Sequence, residues 1–551
     1  MAVINVSGAA YAHPGGSILF EDVTFRVRSG QHAALVGANG VGKSTLLRCI
    51  GGEYPLLAGS INADAVTALM PQSIGTGTDA DTTVRELLVR FAPTQVRDAG
   101  QALAATEAAN TTVASDETGM ALASAVIAWS EVGGYDQESR WDACCQRVLH
   151  KPLAEVADRP VSRLSGGERK RLVLESLLAS DAEILLLDEP DNFLDIPGKR
   201  WLERRLAQTT KTILLVSHDR ELLAAAASPV ITIEGTGAWT HPGSWATYDT
   251  ARTARNDALG DAVDRWKDEE RRLFRYYKLL KQRASVNDGN AAKANAAESR
   301  WERFVAIGPP PPPPKARNVR MKLDGADSGK IALRCEGLEL AGLTDPFDLE
   351  VHLGDRVAIL GPNGTGKSHL LRLLGGDDRV EHEGSFRLGA RVRAGLFHQT
   401  DDVPLFAGRT PLAIMGDHDL AEQPALAALG RYGLADCARR EVETMSGGQR
   451  ARLQVLHLEL SGVNLLLLDE PTDNLDLASA EALEAALDDF VGTVLAVTHD
   501  RWFLRGFDRF VILDADCSVA EALDREAALH VITNDPAYAF SPAKLVPLGA
   551  G

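Results

Sequence analysis

The sequence predicts an α/β chain of two like P-loop domains, joined by an antiparallel helical hairpin and with a helical arm inserted in the first. Three observations carry that expectation. A Gly-x-x-x-x-Gly-Lys-Ser segment occurs twice, at Gly37 to Ser44 and at Gly361 to Ser368. Each follows an apolar strand pattern (His32 to Val36; Arg356 to Leu360) and precedes a helical one (Thr45 to Ile50; His369 to Leu374), the context a phosphate loop requires. The later segments recur in register: Ser165 and Ser446, Glu189 and Glu470, and His218 and His499 all stand 281 residues apart.

A chain of 551 residues is too long for one hydrophobic core, so at least two domains are expected. The repeat divides it into a first domain over 1–239, a linker over 240–329 and a second domain over 330–551 that ends in a short tail. The sequence has no apolar run long enough for a membrane span. Its start, Met-Ala-Val-Ile-Asn-Val, lacks the basic segment and apolar stretch of a secretory signal. The six cysteines, Cys49, Cys144, Cys145, Cys335, Cys437 and Cys517, form no metal-ligand spacing. Reduced thiols in a cytoplasmic protein are the expectation.

The two copies differ in length at one place. Gln72 lies 93 residues before Ser165, whereas Gln399 lies 47 before Ser446. The first copy therefore holds 46 extra residues within Ser73 to Arg163. Their middle is Ala-rich, with Trp129, Trp141, Val148 and Leu149 among polar residues. That pattern predicts an added helix pair, an arm within 90–150.

In the linker, Leu259, Ala262, Trp266, Leu273, Tyr277 and Leu280 fall at helical spacing, and Ala294, Ala297, Trp301 and Phe304 repeat the pattern. Between them, Asn287-Asp288-Gly289-Asn290 is a turn cluster. Two helices joined by a tight turn form an antiparallel hairpin, which the run Pro309 to Pro314 ends as a stiff spacer. The net charge is -18, yet Arg265 to Lys322 carries fifteen Lys and Arg against six Asp and Glu. A basic segment on an acidic body can still find phosphate, because fields are local at physiological salt. Arg271, Arg272, Arg275, Lys278, Lys281 and Arg283 cluster toward the tip, with Phe274, Tyr276 and Tyr277 between them. Basic groups reach phosphates and aromatic rings stack on exposed bases, so these six are candidate RNA contacts. The alternative is an aromatic hairpin core beneath a solvated charged face. Trp266, Tyr277, Trp301 and Phe304 are assigned to such a core.

The repeated motifs carry phosphate chemistry. Gly37, Asn39, Gly40, Gly42, Lys43, Ser44 and Thr45 form one cradle, and Gly361, Asn363, Gly364, Gly366, Lys367 and Ser368 the other. The glycines let backbone N–H groups turn toward the β- and γ-phosphates at a helix start. Each lysine adds a point charge, and Ser44 and Ser368 suit Mg²⁺. The apolar runs ending in Asp188-Glu189 and Asp469-Glu470 are buried parallel strands in this reading. Asp188 and Asp469, with Gln72 and Gln399, complete the metal set, while Glu189 and Glu470 orient the attacking water. His218 and His499 follow a further apolar strand in each copy and are expected to contact the γ-phosphate.

Ser165-Gly166-Gly167-Glu168-Arg169 and Ser446-Gly447-Gly448-Gln449-Arg450 are the decisive elements. With them, the twin sets resemble the ATP-binding domains of ABC proteins, over roughly four-fifths of the chain. The resemblance implies ATP and Mg²⁺ as cofactors, ATP hydrolysis as the activity, and head-to-tail pairing of the two domains within one chain. Lys43, Glu189 and His218 would face Ser446, Gly447 and Gly448. Lys367, Glu470 and His499 would face Ser165, Gly166 and Gly167. Tyr11 is a candidate to stack on adenine. Its counterpart in the second copy is Cys335, which leaves that base to apolar contact. Both sites keep a glutamate, so both are expected to hydrolyse.

The twin cassettes, the insert and the basic helical linker look like the ABC-F family. Glu470-Pro471-Thr472-Asp473-Asn474-Leu475-Asp476 and His499-Asp500-Arg501-Trp502-Phe503-Leu504 add to the likeness. It implies an ATPase that binds the ribosome near the tRNA exit site, its hairpin reaching toward peptidyl-tRNA and rRNA. Such proteins act as translation factors or protect the ribosome from macrolide-, lincosamide- or pleuromutilin-type antibiotics. The short turn here has few residues to extend into a drug site, which tilts toward a general factor. Asp191 and Phe193 depart from the Thr and His usual in the family. The alternative is the ATP-binding subunit of a transporter with separate membrane partners, a role with little reason for a basic, proline-ended hairpin. Neither zinc cysteine pairs nor very long coiled coils are present, so no DNA partner is expected.

Overall fold

The short apolar runs of the sequence become the central strands of both cassettes. The computed structural model describes residues 2–75, 82–112, 115–235, 237–284, 291–314, 321, 323, 330–398, 406–473, 475–538 and 541–549. In the first cassette the strands lie in the order Thr67–Met70, Ile184–Asp188, Thr212–Val216, His32–Val36, Val230–Glu234, all parallel. The second repeats that order with Ala394–Phe397, Leu465–Asp469, Thr493–Val497, Arg356–Leu360 and Arg509–Leu513. It then adds Val519–Ala522 and Leu545–Pro547 antiparallel. Ile184–Asp188, Thr212–Val216, Leu465–Asp469 and Thr493–Val497 are buried at every residue, which is why they are near-continuous Leu, Ile and Val.

A three-stranded antiparallel sheet accompanies each parallel one. Ile4–Ala12 pairs with Ile18–Val27 and Ala58–Ala63 in the first cassette. Ile331–Leu340 pairs with Phe347–His352 and His382–Leu388 in the second.

The parallel order sets up the chemistry. The strand that feeds each phosphate loop neighbours the strand before the histidine, which neighbours the strand ending in Asp-Glu. Their carboxyl ends therefore meet in one place. The helices Lys43–Ile50 and Lys367–Leu374 start at Gly42 (φ 99°) and Gly366 (φ 90°), a left-handed conformation that glycine adopts without strain. The signature helices Gly166–Ala179 and Gly447–Leu460 begin with capping boxes, Ser165 with Glu168 and Ser446 with Gln449.

The extra residues of the first cassette include the helices Thr94–Thr112, Asp116–Glu131 and Gly134–Leu149. Trp129 and Trp141 are fully buried there with ring centroids 6.2 Å apart. They share a core with Val89, Leu103 and Leu172, so the insert packs onto the signature helix. Among the described residues, the α-helices of the corresponding stretch in the second cassette are Pro411–Gly416 and Glu422–Arg431.

The chain divides into two units, Met1–Thr240 with Arg317–Gly551, and His241–Ala316. The second unit contains the helices Tyr248–Ala284 and Ala291–Ile307. Trp266 stacks on Phe304 at 5.4 Å and Tyr277 on Trp301 at 5.9 Å, while Leu280 clusters with Ala294 and Ala297. The turn cluster at 287–290 lies outside the described residues. Arg271 and Arg272 are exposed and pair with Asp268 and Glu269 one turn back. Lys278 lies over the Phe274 ring, and Lys281 hydrogen-bonds Tyr277 at 2.5 Å. Exposed pairs of this kind are weak, so they leave the basic groups free to exchange partners.

Within the first unit the two cassettes meet through a contact made twice. Arg220 pairs with Glu484, and Arg501 pairs with Glu203. Both partners of the second pair stand 281 residues from those of the first. One patch thus meets its own copy about a pseudo-two-fold axis. Arg505 to Glu221 at 2.7 Å and Arg200 to Asp535 at 2.7 Å extend the seam.

Candidate active sites between the cassettes

Two cavities lie along this seam. One, of 370 Å³, is lined by Asn39, Gly40, Gly42, Lys43, Ser44, Thr45, Gln72, Glu189 and His218, facing Ser446, Gly447 and Gly448. The other, of 430 Å³, is lined by Asn363, Gly364, Gly366, Lys367, Ser368, Glu470 and His499, facing Ser165, Gly166 and Gly167. Each phosphate loop thus meets the signature of the opposite cassette. Gln399 lies outside the described residues.

Tyr11 is not brought to either cavity. Its ring is buried and packs between Phe20 (6.0 Å) and Tyr54 (5.9 Å). His13, just past the end of the strand, packs edge-on against the Tyr11 ring at 5.3 Å and lines the first cavity. Tyr11 thus stands behind His13 and not among the residues that line the first cavity.

The phosphate loops are held by their own lysines. Lys43 Nζ donates to the carbonyls of Gly37 (2.8 Å) and Ala38 (3.2 Å), and Lys367 Nζ to those of Gly361 (2.9 Å) and Pro362 (2.6 Å). A Cβ on Gly361 would stand 2.0 Å from the Leu513 carbonyl oxygen, so only glycine fits. Across the seam, the Asn39 backbone N–H donates to Asp476 at 3.1 Å, and the Asn363 side chain donates to the Phe193 carbonyl at 3.4 Å.

Glu189 (φ 48°) and Glu470 (φ 46°) both adopt the left-handed conformation. Side-chain-bearing residues seldom do so outside functional turns. Gln72 Nε2 and Asn192 Nδ2 donate to Glu189 Oε2 at 2.5 and 2.6 Å. His218 Nε2 lies 3.6 Å from Glu189 Oε1. In the second site the His499 backbone N–H donates to Glu470 Oε2 at 3.0 Å, and His499 Nε2 lies 3.1 Å from Asn363 Oδ1. Burial, then Asp188, pushes the Glu189 carboxyl up. Burial, then Asp473 and Asp469, holds Glu470 well above the usual range. A raised carboxyl is the better proton acceptor when water attacks.

The metal set fits a small hard cation. Ser368 Oγ donates to Asp469 at 2.9 Å, and Ser44 hydrogen-bonds Asp188. Asp188 Oδ1 is buried with no hydrogen-bond partner among the described residues. Hydroxyl and carboxylate oxygens beside a phosphate loop suit Mg²⁺. No cluster of three or more His, Cys, Asp or Glu placed to hold a metal by themselves occurs among the described residues.

The ABC transporter family model matches residues 20–192 and 344–473. A Mycobacteroides abscessus "Antibiotic resistance protein" is 47% identical over 95% of this chain and 99% of its own length. The chain belongs to the ABC-F family of ATPases. This ABC-F protein binds and hydrolyses ATP. It is also 33% identical to the "Tylosin resistance ATP-binding protein TlrC" of Streptomyces fradiae, over 88% of this chain and 92% of that one. "Probable ATP-binding protein YbiT" of Escherichia coli is 30% identical, over 89% and 92%. Among solved structures, the archaeal ribosome recycling factor aABCE1 in complex with stalk protein aP1 aligns with TM-score 0.54 at 18% identity, covering 92% of this chain and 87% of that one. The "RNase-L Inhibitor" aligns with TM-score 0.55 at 18% identity, covering 98% and 90%. At that identity the two structures support the fold. No helix among the described residues is long and apolar enough to cross a membrane.

Sequence reasoning missed Asn192, Asp476 and the Arg–Glu seam. The 281 offset joins Glu203 to Glu484 and Arg220 to Arg501, and was the available signal.

Burial, then Lys43, lowers the His218 pKa to about 3, and burial, then Lys367, lowers that of His499 well below the ordinary value. Both rings are neutral at physiological pH. Below about pH 6.5 the unfolded chain binds protons on them that the native state does not. Stability is therefore expected to fall as pH drops through that value. In spectra of ¹⁵N-histidine-labelled protein, both rings should stay neutral from about pH 8 down to 5.5. A titration midpoint near 6.5 in the folded protein would contradict this.

Proposed function

We propose that this ABC-F protein binds the ribosome with ATP at both composite sites and protects it from a macrolide-type antibiotic. The observation that carries the proposal is the near-full-length similarity to proteins named for antibiotic resistance and tylosin resistance. The short linker turn alone favoured a general factor, and that similarity outweighs it. The fold shared with an archaeal ribosome recycling factor is compatible with a ribosomal partner.

In this reading, Lys43 and Lys367 with the loop N–H groups bind the phosphates, and the opposite Ser446–Gly448 and Ser165–Gly167 close over them. Ser44, Asp188 and Gln72, and Ser368, Asp469 and Gln399, hold Mg²⁺, which supplies charge neutralisation at the β- and γ-phosphates. Glu189 and Glu470 orient and deprotonate the attacking water. His218 and His499, as neutral rings, donate a hydrogen bond to the γ-phosphate. ATP completes the seam from both sides, and hydrolysis opens it. The first cassette runs over 1–239 and carries the arm, the second over 330–551. The linker over 240–329 forms an antiparallel hairpin. Arg271, Arg272, Arg275, Lys278, Lys281 and Arg283 face rRNA or peptidyl-tRNA, with the protein working in the cytoplasm.

Two outcomes test this. Glu189→Gln with Glu470→Gln should trap the protein on ribosomes in ATP, so that it moves to the ribosomal fractions of a sucrose gradient. A variant that stays at the top of the gradient contradicts the ribosomal partner. Expression of the wild type in a sensitive host should raise the inhibitory concentration of tylosin several-fold, and the double variant should not. Unchanged sensitivity across macrolides, lincosamides and pleuromutilins would return the protein to the general-factor class.

A further inference from the structure

The two sites differ at a residue buried beneath the first glutamate. Lys170 lies four residues into the first signature helix, where the 281 offset places Ala451 in the second. Its side chain is 2% exposed. Its ammonium donates to the backbone carbonyl of Glu189 and sits 5.6 Å over the Phe193 ring. Asp191, Glu189, Asp188 and, from the second cassette, Asp473 surround it with negative charge. Asp191 stands where the second cassette has Thr472, so both the acid and its lysine belong to the first copy alone. Burial lowers the Lys170 pKa to about 8 against the pull of these carboxylates.

The carbonyl that Lys170 holds belongs to a residue with φ 48°. A left-handed residue with a side chain is strained and persists only when its neighbours hold it. A charge-assisted hydrogen bond to its own carbonyl is such a constraint. Alanine at 451 has no ammonium to offer, and the Glu470 carboxylate instead accepts the His499 backbone N–H. The two glutamates are thus oriented by different means.

We propose that Lys170 is a positioning residue for Glu189, and that it makes hydrolysis at the Lys43 site depend on a contact the Lys367 site does not use. The inference rests on the assignment of Glu189 and Glu470 above. Because the second cassette carries alanine at this helix position, Lys170→Ala is compatible with the fold. Lys170→Met keeps the stem and removes only the ammonium.

Single-site backgrounds test the proposal. In Glu470→Gln protein only the Lys43 site turns over. There both Lys170 variants should lower kcat about tenfold with KM for ATP unchanged, since Lys170 does not touch the nucleotide. In Glu189→Gln protein only the Lys367 site turns over, and kcat should stay within about twofold. Equal losses in the two backgrounds, or no loss in either, would overturn the positioning role. If each Gln background alone already hydrolyses at the full wild-type rate, the site assignment fails and the proposal fails with it.

Discussion

Each cavity is lined from both cassettes, and the seam of paired Arg220–Glu484 and Arg501–Glu203 joins the two halves. Each arginine follows directly on the His-Asp of its own cassette and reaches a glutamate on the helix after the opposite Leu-Asp. The contact is charged and largely buried, which is tolerable because both ions of each pair are compensated. Aromatic rings join these charges, with Arg220 over Trp502 and Arg200 over Tyr538. In the proposed function, nucleotide at both cavities adds the remaining attraction. Under that proposal the stability of the closed form follows ATP by linkage, and hydrolysis removes it.

The seam is symmetric in its frame and unequal in its detail. The phosphate loops, signature helices and left-handed glutamates repeat with little change. Around them the first cassette carries Lys170, Asp191 and Lys199 where the second carries Ala451, Thr472 and Ala480. Burial opposes the charge on Lys199, and Asp219, Asp191, Asp500 and Asp473 overcome it, raising its pKa. One buried lysine therefore faces carboxylates from both cassettes at the centre of the seam. This is chemistry that two identical half-sites would not need.

Much of the fold was legible because the parallel strands are buried on both faces and so appear as apolar runs in the sequence. Ile184–Asp188 and Leu465–Asp469 are examples. The glycines at 42 and 366 were legible for a backbone reason, a φ that other residues resist. The insert was legible as surplus length with two tryptophans, which are buried in one core there, although three helices take the place of the expected pair. Distance along the chain from Lys43 does not say how a ring packs, and Tyr11 lies between Phe20 and Tyr54 with His13 against it. His13, just past the strand end, lines the first cavity. The Arg–Glu seam and the Asp476 contact to Asn39 join residues far apart in sequence, and only the folded arrangement gives them partners.

In the proposed function each ATP site is shared between the two cassettes of one chain. The Asn39 backbone N–H and the Asp476 carboxylate, 3.1 Å apart across the seam, give the direct test. Asn39→Cys combined with Asp476→Cys, in the Glu189→Gln, Glu470→Gln protein, should form an intramolecular disulfide under mild oxidation. The crosslink should form faster with Mg-ATP than with ADP. Its absence in ATP, or crosslinks only between separate chains, would contradict the shared-site account.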